Sequence, residues 1–111
     1  MASESTSSFE LRKVRETISK LLSARHPGLA EVAAQLGISP RTLQRRLTGM
    51  NLSHSQLVNQ TRITTACQRL AQRDVHISEI AREIGFATPS AFSRAFQSWT
   101  GTSPRDFRKG L

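Results

Sequence analysis

The chain contains a single cysteine, half as many acidic as basic residues, and no long apolar run. With one thiol, Cys67, neither an intramolecular disulfide framework nor a multi-thiolate metal site is possible. No stretch reaches the roughly 18 apolar residues that a membrane-spanning helix needs. The Ser-rich start, Met1 to Ser8, lacks the charged-then-apolar order of a secretory leader, so the cytoplasm is the default compartment. No segment alternates apolar and polar with period two, so no strands are expected. A Gly-rich phosphate loop is also missing. The three histidines, His26, His54 and His76, are scattered over loops and helix starts, with no carboxylate at ligand or catalytic spacing. Enzyme chemistry, a cofactor, a metal and a small-molecule site in this chain are therefore not expected.

Basic residues are plentiful. Sixteen Lys and Arg against eight Asp and Glu give a net charge of +8 over 111 residues. Thirteen of the sixteen are Arg. This balance points to a polyanion partner. Arg adds a planar fork that pairs bidentately with phosphate or with the guanine edge. A GC-rich genome also yields many Arg codons, so the positions of the arginines must decide what they mean.

Periodicity and caps divide the chain into about seven helices, an all-α fold. Residues 1–7 read as a disordered lead-in. Ser7 and Glu10 form a capping box that starts a helix carrying Leu11, Val14, Ile18, Leu21 and Leu22, ending near Ala24 before Pro27-Gly28. A short helix carries Leu29, Val32, Ala33 and Leu36 and stops at Gly37. Ser39-Pro40 opens a third, with Leu43 and Leu47 inward. Ser53 and Gln56 cap the longest, about 54–72, whose wide apolar arc (Leu57, Ile63, Ala66, Cys67, Leu70, Ala71) suits packing on both sides. Cys67 in that arc is most simply a small core residue. Then come a helix with Ile77, Ile80, Ala81 and Ile84 ending at Gly85, one opened by Thr88-Pro89 with Phe92, Phe96 and Trp99 inward, and a short one from Ser103-Pro104 containing Asp106 and Phe107.

The strongest feature is a repeat. Leu-Ala-Glu-Val-Ala-Ala-Gln-Leu-Gly-Ile (29–38) recurs as Ile-Ser-Glu-Ile-Ala-Arg-Glu-Ile-Gly-Phe (77–86), 48 positions later. Ala33 and Ala81 stand where a second helix must cross closely. Gly37 and Gly85 stand where a positive φ ends the first helix. A short turn and a capped helix follow each, which is the helix-turn-helix pattern. On the outer faces of the second helices, Arg41, Gln44, Arg45 and Thr48 correspond to Ser90, Ser93, Arg94 and Gln97. Arg reads guanine, Gln reads adenine, and Ser or Thr serves either. An ordinary solvated face would include acids, and neither face has one. Arg46 points aside and suits a phosphate contact or an ion pair.

On the long helix Arg62, Arg69 and Arg73 share a face within about 40°. They suit backbone phosphate, or equally pairing with Asp74, Glu79 or Glu83, with Arg62 the one placed to be buried. Membrane-surface binding wants a single lysine-faced amphipathic helix, and RNA binding wants exposed aromatics; this pattern offers neither. A helical protein-interaction module is the remaining alternative.

Two segments carry a family resemblance that covers about residues 10–109. Ser-Pro-Arg-Thr-Leu-Gln-Arg-Arg-Leu (39–47) is similar to the first recognition helix of the AraC/XylS-type regulators. Ile-Ala-Arg-Glu-Ile-Gly-Phe-Ala-Thr-Pro-Ser-Ala-Phe-Ser-Arg-Ala-Phe (80–96), continuing through Trp99-Thr-Gly-Thr-Ser-Pro-Arg-Asp-Phe-Arg108, resembles their C-terminal signature. The resemblance implies seven helices, two helix-turn-helix subdomains (8–52 and 74–111) and a linker helix (53–73). It also implies recognition helices in successive major grooves of double-stranded DNA, for transcription regulation, with RNA polymerase as a candidate second partner. Arg41, Gln44 and Arg45 would read bases in the first unit, and Pro89, Ser90, Ser93 and Arg94 in the second. Ser39, Arg46, Arg62, Arg69, Arg73 and Thr88 are the phosphate candidates. The chain departs from the pattern in a loop one residue short after Leu47, and in Asn51 where Gly is usual; Asn tolerates the left-handed conformation. Pro89 offers no side-chain donor, which shifts the second unit toward backbone contacts. Many relatives carry a ligand-sensing domain ahead of this one, so the chain reads as the DNA-binding part of a longer regulator, with a small stand-alone regulator as the alternative.

Overall fold

A computed structural model of the chain describes residues 2–22 and 27–111, with side chains from Glu10 onward. Among the described residues there are seven helices: α1 (Ala2–Leu21), α2 (Leu29–Leu36), α3 (Pro40–Gly49), α4 (His54–Leu70), α5 (Ile77–Glu83), α6 (Pro89–Thr100) and α7 (Pro104–Lys109). There is no strand among the described residues.

Local chemistry sets most helix starts. Ser39, Thr88 and Ser103 each accept the N–H three residues on (Thr42, Ala91 and Asp106, each at 3.1 Å), and each is followed by proline at the first helical position. Ser53 and Gln56 exchange hydrogen bonds of 2.8 and 3.1 Å in a full capping box. α1 departs from expectation. It is helical from Ala2, so the lead-in expected to be disordered over residues 1–7 is helix from its second residue. No Gly or Pro interrupts that segment, and a formed helix propagates at low cost through residues that do not break it. The side-chain part of the expected Ser7–Glu10 box lies outside the described residues.

The ends of the two repeated helices match bond for bond. Ile38 N–H donates to the Ala33 carbonyl (3.1 Å) and Gly37 N–H to Ala34 (3.1 Å). Phe86 N–H donates to Ala81 (2.9 Å) and Gly85 N–H to Arg82 (3.1 Å). Both are Schellman closures with the glycine left-handed, φ 73° at Gly37 and 92° at Gly85. α3 closes the same way through Asn51 (φ 59°), with Leu52 N–H on Leu47 and Asn51 N–H on Thr48. α4 ends at Leu70, two residues short of the expected end.

The core is one cluster: Val14, Ile18 and Leu22 of the first helix and turn, Val32 and Ala33, Leu43 and Leu47, Leu57, Val58, Ala66 and Leu70, Ile80, Ala81 and Ile84, and Phe92 with Phe96. α4 packs on α1 on one side and on α5 and α7 on the other. The expectation that its wide arc serves two neighbours thus has a structural counterpart, except that Ala71 lies past the helix end and is exposed. The 48-residue offset extends backward as well: Ile18 and Leu22 of α1 and its turn correspond to Ala66 and Leu70 of α4, all buried. The repeat unit is therefore three helices, α1–α3 and α4–α6, with α7 added to the second.

Candidate nucleic-acid interface

Each unit directs one helix outward. In α3, Leu43 and Leu47 are buried, which turns the opposite side to solvent. Arg41, Gln44, Arg45 and Thr48 are all exposed there and, with Gly49, line one shallow concavity. In α6, buried Phe92 and Phe96 set the roll. Pro89, Ser90, Arg94 and Gln97 are exposed and Ser93 is half-buried. Neither helix carries an acid, so the field on both faces is set by guanidinium groups and amide or hydroxyl dipoles. Such a face repels no phosphate and offers donors to base edges.

The side chains grouped as phosphate candidates divide sharply. Ser39 Oγ, besides accepting from Thr42, donates to Thr42 Oγ1 at 2.8 Å, and Thr88 Oγ1 accepts from Ala91. Arg46 reaches Glu10 of α1 at 3.2 Å, so of its two readings the structure contains the ion pair. Arg69 forms a two-pronged pair with Glu83, Nε to Oε2 at 2.8 Å and Nη2 to Oε1 at 2.7 Å, and Nη1 also donates to Gln72. The hydrogen bonds to Glu83, helped by its negative charge, push the Arg69 pKa above its ordinary value. Arg73 is exposed and donates to the Leu111 carbonyl at 3.3 Å. Arg62 is 8% exposed and cannot present its guanidinium to a phosphate. Its Nε donates to the Ile84 carbonyl at 3.0 Å, and its Cζ lies 4.6 Å from the centre of the Phe86 ring. Burial pulls the Arg62 pKa down, yet an arginine keeps its charge throughout the physiological range. The three-arginine helical face expected on α4 is not formed: Arg73 lies beyond the helix end, and Arg62 and Arg69 turn to Ile84 and Glu83 of the α5 region.

Arg108 is the group that the spacing pattern missed. Its Nε donates to the Leu70 carbonyl at 2.9 Å and its Nη2 to Gln72 at 3.1 Å. It satisfies the Leu70 carbonyl at the end of α4 and the Gln72 carbonyl just beyond it. The only local signal was its place beside the inward-facing Phe107. His54 Nε2 lies 2.7 Å from the Pro27 carbonyl, which ties α4 to the segment after α1. His76 caps α5 by position, and His26 falls outside the described residues. Cys67 is half-buried, and burial pushes its thiol pKa up, away from the reactive thiolate. Among the described residues no His, Cys, Asp and Glu side chains gather into a metal-binding group. No helix among them is long and apolar enough to cross a membrane.

A family description of a helix-turn-helix domain matches residues 32–110. The chain is 36% identical over 95 residues to the ornithine utilization regulator of Pseudomonas aeruginosa, an alignment covering 83% of this chain and 28% of that protein. The chain thus spans little more than a quarter of that relative's length. Among solved structures it resembles the C-terminal domain of AraT, a response regulator from Geobacillus stearothermophilus, at 31% identity and a TM-score of 0.75, over 91% of this chain and 84% of that one. It also resembles the DNA-binding domain of AdpA, a global transcriptional factor solved in complex with a target DNA, at 25% identity and a TM-score of 0.68, over 90% of each chain.

Proposed function

Because the chain belongs to the AraC-type helix-turn-helix family, we propose that it binds double-stranded DNA sequence-specifically, as the reading part of a transcription regulator. α3 and α6 enter successive major grooves on one face of the duplex, and α4 sets the distance between them. In this reading residues 8–52 and 74–111 are the two reading subdomains and 53–73 the linker. The site of action is the cytoplasm, and RNA polymerase is the second partner. Arg41, Gln44, Arg45 and Thr48 read one half-site; Ser90, Ser93, Arg94 and Gln97 read the other, with Pro89 against the backbone. Ser39, Thr88 and Arg73 are the remaining phosphate contacts.

The observation that carries this reading is the pair of exposed, acid-free helix faces, each held by the same Schellman-closed turn. Two measurements test it. A duplex binder making six to ten phosphate contacts loses about 10³–10⁵ in affinity between about 50 and 200 mM salt. A flat salt response removes the proposal. On a duplex selected from random DNA, Arg45→Ala costs about 1–3 kcal/mol and relaxes discrimination at one base pair. An equal loss on random duplex would assign Arg45 to phosphate instead.

A further inference from the structure

Arg62 is the most deeply buried charged side chain among the described residues, and no carboxylate among them lies within ion-pair distance of it. Its charge is balanced in two other ways. The Ile84 carbonyl belongs to the carbonyl-rich end of α5, where a cation is favoured. The Phe86 ring face supplies a cation–π contact. Both groups belong to the turn between α5 and α6. Phe86 in turn lies 5.8 Å from Phe92 and 5.9 Å from Trp99, ring centre to ring centre, and both of those residues are on α6. A continuous chain of contacts therefore runs from the middle of the linker helix to the recognition helix of the second unit.

The first unit is built differently at the same place. Applying the 48-residue offset, Val14 stands where Arg62 stands, Leu36 where Ile84 stands, and Ile38 where Phe86 stands. Val14, Leu36 and Ile38 line a groove of about 240 Å³ beside α3. A valine has neither a donor for the turn carbonyl nor a charge to set on a ring.

We propose that Arg62 is the positioning residue of the second reading unit: by holding the Ile84 carbonyl and the Phe86 ring together, it sets the orientation in which α6 presents Ser93 and Arg94 to the bases. The proposal rests on the DNA reading above. It makes the second unit the pre-set half of the interface and leaves α3 positioned by aliphatic packing and the half-exposed Arg46–Glu10 ion pair. Lysine cannot replace the arginine, because a single ammonium does not combine the Nε hydrogen bond with a second charged group set over the ring.

The test uses the full chain and a duplex selected from random DNA, with single base-pair changes placed through both half-sites. Arg45→Ala and Arg94→Ala assign the halves. Arg62→Met and Arg62→Lys should each lose about tenfold discrimination at base pairs of the Arg94 half, with discrimination in the Arg45 half unchanged within about twofold. Equal loss in both halves, or rescue by lysine, would show a merely structural role or simple charge and overturn the proposal. Should the Arg62 variants fail to fold by circular dichroism, Phe86→Leu decides by the same criterion, since it removes the ring and keeps the hydrogen bond. If the unmodified protein discriminates no base pair in either half, the DNA reading itself fails, an outcome distinct from a failure of the Arg62 role.

Discussion

The two units share a backbone plan and fill it with different side chains. In α1–α3 the core is aliphatic: Val14, Ile18, Leu22, Val32, Leu43 and Leu47. In α4–α6 the recognition helix carries Phe92 and Phe96 in place of the two leucines, and the supporting helix carries Ala66 in place of Ile18. Bulk gained on one helix is given up on the other, as a densely packed core requires. The aromatic solution then extends outward. Phe96 meets Phe107 edge-on at 5.5 Å, which brings α7 onto the second unit, and Arg108 follows it to the end of α4. Among the described residues the first unit has no counterpart of α7. One fold can thus be stabilised by compact aliphatic packing or by an aromatic chain with arginine anchors, and the second gives more directional control over where a helix points.

The comparison can be broken by mutation. Phe96→Ala should be the most damaging, about 3–5 kcal/mol by denaturant unfolding, because it removes the ring that joins α6 to α7. A loss near 1 kcal/mol would mean that the aromatic chain holds little. Ala66→Ile puts the first unit's residue into the second and should cost about 1–3 kcal/mol by overpacking. No change in stability would show that bulk is not balanced between the helices. Gly37→Ala should cost about 1–2 kcal/mol from the left-handed backbone alone, since a Cβ there meets nothing within 4 Å. A neutral result in a thermal melt would contradict the φ of 73° on which the matched turns rest.

Much of this was legible in the sequence. The caps Ser39, Ser53, Thr88 and Ser103 act over three residues, so short-range chemistry is enough to place them. The inward leucines and phenylalanines follow from helical period. The outward faces follow by subtraction, which is why Arg41, Gln44, Arg45, Ser90, Arg94 and Gln97 are all exposed. The left-handed Asn51 (φ 59°) was readable through the resemblance, which puts a glycine at that position. The start of α1 was not, because a Ser cap is a permitted start and not an obligatory one.

What the sequence by itself determined is the repeated helix-turn-helix pattern, the bounds of the helices after α1 to within a few residues, and which helix faces look outward. All of these depend on groups a few positions apart along the chain. What only the tertiary structure decided is which arginines are left to meet a partner. Arg62, Arg69 and Arg108 share the charge of Arg45 and Arg94, but their partners lie 22, 14 and 38 residues away. No periodicity or cap relates such positions. They meet only because α4 packs on α1 along one side while α5 and α7 pack back against its other side.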